Sequence, residues 1–174
     1  MSQMEEVILV NKSDEVLGYM EKMEAHKRGL LHRAFSVFIF NNNGELLMQK
    51  RASDKYHSGG LWTNTCCSHP RKHESLSTAA QRRLKEEMGM EVSLSPKFHF
   101  IYKSSLDQGL IEHELDHVFF GNSDQTPVLN KAEAEDWKYM TIKDLQEDLS
   151  ECPEHYTAWF KICFDEVVSK VPSL

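Results

Sequence analysis

The sequence predicts an α+β domain in which helices flank a mixed β-sheet sandwich. Strand and helix patterns interleave along the chain, and they lack the regular strand–helix–strand alternation that is typical of a parallel sheet. The 174 residues suffice for a buried core and fit one domain, which we predict to span residues 1–174. The sequence contains no internal repeat or low-complexity tract that would indicate a second unit.

The composition excludes several classes of partner. Hydrophobic residues make up 40% and charged residues 27%, as in ordinary soluble proteins, and the net charge of −7 argues against general nucleic-acid binding. The sequence has no apolar run of membrane-spanning length and no signal-peptide pattern. Its four cysteines form no CxxC pair or disulfide framework. We therefore expect reduced thiols and a cytoplasmic location, and the charge still permits a small anionic substrate if basic residues converge locally. We also expect a monomer or weak dimer.

The N-terminal part of the chain predicts strands and one short helix. Residues 6–10 and 16–20 read as strands, and residues 21–28 form a helix that Gly29 ends. Residues 34–40 and 45–50 predict a β-hairpin with its turn at Asn43-Gly44. The first arm is almost entirely apolar, which indicates a strand buried on both faces.

The remaining elements follow from periodicity. Residues 75–88 predict a helix ended by Gly89, because Leu76, Ala80, Leu84 and Met88 recur every four residues. Further elements are predicted as strands at 97–103, 111–120 and 136–140 and as helices at 142–149 and 156–170. Residues 51–60 are polar and glycine-tipped, so that stretch predicts a loop. Its residues Arg51, Lys55, Tyr56 and His57 could meet an anion, but a solvated connector is the favoured interpretation.

The stretch LWTNTCCSHP, residues 61–70, concentrates reactive side chains. If it is extended, Cys67 and His69 share one face and Cys66 lies on the other. A reactive pocket wall and a buried turn with inert thiols explain this pattern equally well. Local sequence alone leaves both interpretations open.

Charged residues occur at two further regular spacings. On the strand at 111–120, Glu112, Glu114 and Asp116 share one face, for which a solvated polar surface is the commoner explanation. On the helix at 75–88, Arg83 and Glu87 are four residues apart, as in an ordinary surface ion pair. Histidine nitrogens and carboxylate oxygens are usual ligands of divalent metals, but sequence spacing cannot gather distant residues into one site.

Four separated motifs carry a resemblance to a known family. The segments GLLHRAFSVF, TNTCCSHP, RRLKEEMG and EHELDHVF occur in this order. Together they resemble the type I isopentenyl-diphosphate isomerases, from about Val7 to Ile162. The helical segment also resembles a Nudix box, the pyrophosphate-binding motif, in which Arg83 here replaces the first glutamate of the acidic cluster. The resemblance implies a Nudix-like fold and argues against diphosphate hydrolysis.

The resemblance also implies roles for individual residues. The positions that match a divalent-metal site for zinc, manganese or magnesium are His26, His32, His69, Glu112 and Glu114. Glu87 matches the position that helps to hold a second ion, Mg²⁺, on the diphosphate. The catalytic positions are the thiol of Cys67, the carboxylate of Glu114, the assisting hydroxyl of Tyr102 and the aromatic ring of Trp159. The cations expected to bind the diphosphate are Lys22, Arg51, Lys55 and Arg83.

The implied reaction interconverts isopentenyl and dimethylallyl diphosphate by moving a carbon–carbon double bond, a step of isoprenoid biosynthesis. It requires proton addition and removal through a carbocation-like intermediate, and the sequence leaves open which of Cys67 and Glu114 protonates first. A Nudix-type diphosphate hydrolase is the alternative enzyme. A metal-binding sensor without activity ranks last, since it gives Cys67, Trp159 and the cations no purpose.

Overall fold

The computed structural model of the chain describes residues 4–172. Within this range, nine strands form one sheet, accompanied by four α-helices and two short 3₁₀ helices. The strands are β1 Glu6–Val10, β2 Val16–Glu21, β3 His32–Phe40, β4 Leu46–Arg51, β5 Trp62–Thr63, β6 Cys66–Ser68, β7 Ser95–Ser105, β8 Ile111–Asn122 and β9 Ala134–Met140. The α-helices are α1 Lys22–Arg28, α2 Leu76–Met88, α3 Ile142–Glu151 and α4 Ala158–Lys170, and the 3₁₀ helices are Asp107–Gly109 and Pro153–His155.

The predicted α+β fold with a mixed sheet is confirmed. Each predicted strand and helix is present, with ends that differ by a few residues. Helix α1 begins at Lys22 because the Glu21 carboxylate accepts hydrogen bonds from the next backbone N–H groups. Helix α4 begins at Ala158, after Thr157 in extended conformation. None of the helices in residues 4–172 is long and apolar enough to cross a membrane.

Strand β3 is the centre of the sheet. It runs parallel to β8 along its whole length and antiparallel to β6 on its other edge. The predicted turn at Asn43-Gly44 is present, since the Gly44 N–H donates to the Asn41 carbonyl. The predicted hairpin ladder is not, because β3 and β4 pair only at Phe40 and Leu46 before diverging. β6 takes the edge of β3, and β4 pairs instead with β5 and β9.

Side-chain alternation along β3 divides the core into two clusters. Phe35, Val37 and Ile39 pack with α2, whereas Phe38 and Phe40 pack with α4. This confirms that β3 is buried on both faces. On the α4 side, apolar residues fill only the second half of β3 and β8. The first halves of the same two strands carry polar side chains on this face, and the candidate site lies there.

Helix α2 ends at a closely packed glycine. Gly89 has φ +63°, and its N–H donates to the Lys85 carbonyl. A Cβ atom at this position would lie 2.6 Å from the Val128 carbonyl oxygen. Glycine is therefore required both by the left-handed backbone and by the approach of the loop before β9.

Candidate active site

The pairing of β3 with its two neighbours brings distant motifs together. Glu114 of β8 lies opposite His32 of β3, and Cys67 of β6 lies opposite Ser36 of β3. Because β6 and β8 occupy different edges of β3, Cys67 and Glu114 flank this strand from opposite sides. The sheet thus juxtaposes residues from three of the four sequence motifs.

The carboxylates of β8 are buried, which contradicts the expectation of a solvated polar face. Glu112 and Glu114 are each 4% exposed, and Asp116 is 2% exposed. Burial raises the pKa of all three carboxyl groups, and the negative charge of Glu114 raises that of Glu112 further. The structure therefore holds three carboxyl groups in a place where protons or cations are needed to neutralise them.

Three histidines converge on Glu114. One donor atom from each of His26, His32, His69 and Glu114 lies within 4.8 Å of every other, and all four residues are buried. The Nε2 atoms of His32 and His69 are 3.3 Å apart. His69 Nε2 is also 3.4 Å from Glu114 Oε1. Four of the five metal ligands implied by the resemblance are therefore brought together.

The surrounding backbone orients two of these rings for metal binding. The Nδ1 atoms of His26 and His32 lie 2.7 and 2.8 Å from the carbonyl oxygens of Lys22 and Leu30. An Nδ1–H that donates to a carbonyl leaves the Nε2 lone pair for an ion. Burial lowers the pKa of His32 and His69 and thus favours the neutral ligating form. Since His26 Nε2 is buried without a hydrogen-bond partner among the described residues, the group fits a divalent metal.

Glu112, the fifth expected ligand, lies in an adjoining group. Its carboxylate, His26 and His57 offer donor atoms within 4.8 Å of one another. Sequence reasoning assigned no role to His57, which is buried in the structure. Its segment, KYHSGG, carries no motif that would have identified it. Burial and the charge of Arg51 lower the pKa of His57 to about 2, so this imidazole is neutral.

The thiol of Cys67 has a polar environment of its own. Trp159 Nε1 donates a hydrogen bond to its Sγ at 3.0 Å, and Sγ lies 2.9 Å from Asn64 Oδ1. Ser36 Oγ lies 3.7 Å from Sγ and 2.7 Å from Asp116 Oδ2. Burial and the nearby Asp116 raise the pKa of the Cys67 thiol, which keeps it protonated. Asn64, Ser36 and Asp116 are contacts that sequence reasoning missed.

The two adjacent cysteines differ as the strand alternation predicts. Cys66 is fully buried in the cluster beneath α2, whereas Cys67 lies on the opposite face and is partly buried. All four cysteines of the chain are free thiols. The reactive interpretation of LWTNTCCSHP is thus favoured for Cys67, and the inert one for Cys66.

Tyr102 lies beside Glu114. The two residues are directly paired between β7 and β8, and the nearby Tyr102 hydroxyl opposes the rise in the pKa of the Glu114 carboxyl that burial causes. Burial and the carboxylates of β8 raise the pKa of Tyr102, so its hydroxyl stays protonated. The hydroxyl can therefore donate to the carboxylate.

The first three expected cations gather around two aromatic rings. Lys22 Nζ lies 4.7 Å and Lys55 Nζ 5.9 Å from the centre of the Tyr56 ring. The Arg51 guanidinium lies 5.2 Å from the centre of the Trp159 ring. Arg51 and Lys55 therefore lie against aromatic rings beside the candidate site and are not part of a fully solvated connector. Tyr56, which the sequence indicated only as a loop residue that could meet an anion, also belongs to this group of contacts.

The fourth cation, Arg83, joins this group through carboxylates. Its Nη2 lies 2.5 Å from Glu87 Oε1 and 3.4 Å from Glu133 Oε1, and Glu133 also pairs with Lys55. Glu87 is buried and accepts a hydrogen bond from Gln49, so the pair with Arg83 is not an ordinary surface contact. Arg83 also lines an open cavity of about 670 Å³ together with Arg71 and Lys72.

The fold and this constellation define a NUDIX protein. The NUDIX domain model matches residues 30–160. A solved structure, DR0079 from Deinococcus radiodurans, is similar over 97% of this chain and 100% of that chain, with a TM-score of 0.77 and 20% identity. A MutT protein from Methanosarcina mazei is similar over 82% of this chain and 96% of that one, with a TM-score of 0.66 and 18% identity. Both likenesses concern the fold alone.

Relatives in sequence indicate the family more specifically than the structural likenesses do. The chain is 52% identical to isopentenyl-diphosphate Delta-isomerase 2 of Aromatoleum aromaticum, over 95% of this chain and 87% of that protein. It is 50% identical to the isopentenyl-diphosphate Delta-isomerase of Pectobacterium atrosepticum, over 93% of this chain and 90% of that protein. The chain therefore belongs to the isopentenyl-diphosphate Delta-isomerase family, and the family resemblance of its motifs is confirmed.

Proposed function

We propose that this protein interconverts isopentenyl diphosphate and dimethylallyl diphosphate, the reaction for which its relatives are named. The observation that carries the proposal is the placement of Cys67 and Glu114 on the strands at opposite edges of β3. Two groups that exchange protons across an allyl unit must face it from different sides. A thiol and a carboxyl group arranged in this way suit that reaction.

The proposed chemistry is a proton addition followed by a proton removal. The alkene electron pair takes a proton at the terminal carbon, carbon 4, which leaves a positive charge on the tertiary carbon 3. Loss of a proton from carbon 2 returns an electron pair and forms the new double bond. Cys67 and Glu114 perform these two transfers, and their roles exchange in the reverse direction. Tyr102, paired with Glu114 across the sheet, donates to its carboxylate form in this proposal and stabilises it.

Trp159 supports the cationic intermediate in this proposal. The indole is 3% exposed and lies against the Cys67 sulfur. An aromatic face stabilises a cation by about 0.5–2 kcal/mol, so it is one contribution among several. The buried walls of the site also keep water from capturing the intermediate, and they hold the substrate in position.

The cations are proposed to bind the diphosphate. Lys22, Arg51 and Lys55 lie around Tyr56 and Trp159, and Arg83 pairs with Glu87 and Glu133. The ion pairs of Lys22 with Glu5 and of Lys55 with Glu133 hold two of these cations in place. Glu87 would hold Mg²⁺ on the diphosphate, next to Arg83. Arginine and lysine neutralise phosphate charge at short range, which accounts for four cations in a chain of net charge −7.

A divalent ion, Zn²⁺, Mn²⁺ or Mg²⁺, is proposed for the histidine group. His26, His32, His69 and Glu114 would hold it, with Glu112 adjoining. When bound, such an ion neutralises the buried carboxylates and lowers the proton affinity of Glu114. The lowered pKa values of His32 and His69 support this assignment, and so does His26 Nε2, which has no hydrogen-bond partner among the described residues.

We assign the activity to one domain over residues 1–174, which acts in the cytoplasm as a monomer or weak dimer on a small prenyl diphosphate. The four free thiols are compatible with a reducing compartment. Diphosphate hydrolysis is the competing activity. The Arg83 guanidinium lies on Glu87, within the acidic cluster that hydrolysis would use, and this favours the isomerase.

The test compares Cys67→Ala and Glu114→Gln with the parent protein. Metal-loaded protein is incubated with isopentenyl diphosphate in deuterated water, and dimethylallyl diphosphate is followed by NMR. We expect deuterium in the parent's product and a loss of rate of at least about 10²-fold in each variant, since a positioned acid or base contributes about that much. Cys152→Ala and Glu91→Gln are the matched controls, because both side chains lie outside the site.

Near-normal turnover by either site variant would contradict the role assigned to that residue. Release of phosphate without any isomerised product from the parent protein would instead support the hydrolase. Circular dichroism of each variant separates a loss of chemistry from a loss of fold.

A further inference from the structure

A second group of buried donors adjoins the histidine group. His26, His57 and Glu112 are exposed by 0%, 3% and 4%, and they offer donor atoms within 4.8 Å of one another. His57 Nε2 lies 3.9 Å from Glu112 Oε1, too far for a direct hydrogen bond. The imidazole of His57 and the carboxylate of Glu112 therefore face each other without a direct contact.

Two atoms of this group are buried without a partner. Among the described residues, neither His26 Nε2 nor Glu112 Oε2 has a hydrogen bond. Leaving a buried polar group unpaired is unfavourable, and more so for a charged one. Two such atoms in one group of three residues point to a ligand that bonds to both.

The surroundings of His57 hold its ring in this position. Its Nδ1 lies 3.0 Å from Ser58 Oγ, and its backbone carbonyl accepts a hydrogen bond from Arg51. Ser58 has φ +53°, and its N–H donates to the Asp107 carboxylate, which fixes the loop. With Nδ1 bonded to the hydroxyl, Nε2 is the nitrogen that faces Glu112.

We propose that His57 is a further ligand of the metal centre, and that it forms with His26 and Glu112 a second three-donor set beside the set of His26, His32, His69 and Glu114. The inference rests on the metal centre of the proposed function and adds to it. A neutral imidazole nitrogen has one lone pair, so His26 Nε2 binds one ion at a time. The two sets are separate in this structure and have only His26 in common, so a single ion bound by both requires that they close around it. Imidazole nitrogens favour Zn²⁺ over Mg²⁺ and Mn²⁺, which prefer oxygen ligands.

The test measures metal binding directly. Metal-free protein is titrated with Zn²⁺ against a competing chelator, without any diphosphate, and Co²⁺ is followed by its visible spectrum. Cys152, Glu154 and His155 form another donor group, mostly exposed, so all measurements use a His155→Ala background. We compare His57→Ala and His57→Gln with His113→Ala, whose side chain lies on the opposite face of β8 from Glu112.

We expect one equivalent of Zn²⁺ in the background protein, an affinity at least tenfold lower in both His57 variants, and a changed Co²⁺ spectrum. His113→Ala should match the background protein. Unchanged affinity and spectrum in folded His57 variants would overturn the role of His57, and two tight equivalents in the background protein would overturn the shared ion. His32→Ala separates the two proposals: if it also binds Zn²⁺ normally, the metal centre itself is wrong.

Discussion

Replacing Trp159 with phenylalanine isolates one contact of the reactive thiol. The substitution removes the indole N–H that donates to Cys67 Sγ at 3.0 Å and keeps an aromatic ring in the pocket. A protonated thiol that must lose and regain its proton passes through a state with more negative charge on sulfur. The indole N–H stabilises that state more than the neutral thiol, so its removal should slow the chemistry.

The size of the effect follows from the hydrogen bond. A typical net contribution of about 0.5–1.5 kcal/mol corresponds to a loss of about 2- to 13-fold in rate. The phenylalanine ring also offers a weaker π face to a cation than indole does, which adds a few tenths of a kcal/mol or somewhat more. We therefore expect kcat to fall by about 3- to 20-fold, with a much smaller change in KM because the diphosphate contacts remain.

The assay is the steady-state conversion of isopentenyl diphosphate at saturating metal, with kcat and KM determined separately. Trp137→Phe is the control, since this partly buried indole of β9 packs against Tyr139 and the core cluster beneath α2. An unchanged kcat in folded Trp159→Phe would refute the argument from the N–H···S contact. A change confined to KM would place Trp159 in substrate binding rather than in the proton transfers.

Two further predictions concern stability. Gly89→Ala should lower the free energy of unfolding by about 1–3 kcal/mol in urea titrations, because the backbone is left-handed and the Cβ would meet the Val128 carbonyl; an unchanged midpoint would contradict this. Glu74 accepts two hydrogen bonds from Arg82, which lower its pKa. Its stabilisation, below about 1 kcal/mol for a partly exposed pair, is present above pH ~4.5 and disappears as the pH falls through the lowered pKa. Glu74→Gln should therefore be less stable than the parent at pH 7 but equal to it in strong acid, and a constant difference would be inconsistent with this.

Most of the fold could be predicted from local patterns. The apolar run of β3, the four-residue repeat of α2 and the glycine that ends it depend on neighbours in sequence, and the structure has them where the sequence predicts. The hairpin between β3 and β4 could not be predicted correctly. A turn at Asn43-Gly44 determines where the chain reverses, but pairing beyond it depends on which strands compete for the same edge.

The candidate site, like the fold, could be predicted from the sequence only in part. The order of the four sequence motifs revealed the family resemblance, which in turn implied the site residues. The tertiary structure then brings His26, His32, His69 and Glu114 into one group. The burial of the β8 carboxylates was predicted wrongly, because period-two alternation tells which side chains share a face but not what covers that face.

The sequence by itself determined the family, the longer strands and the four α-helices, and the separation of Cys66 from Cys67. Only the tertiary structure decided that His57 faces Glu112 and that Lys22 and Lys55 both approach the Tyr56 ring. The same holds for the position of Asp116 near the Cys67 thiol through Ser36. The physical reason is that strand alternation acts between neighbours in the chain. These contacts join residues that the sheet brings together, and their burial and charge exist only once the strands have paired.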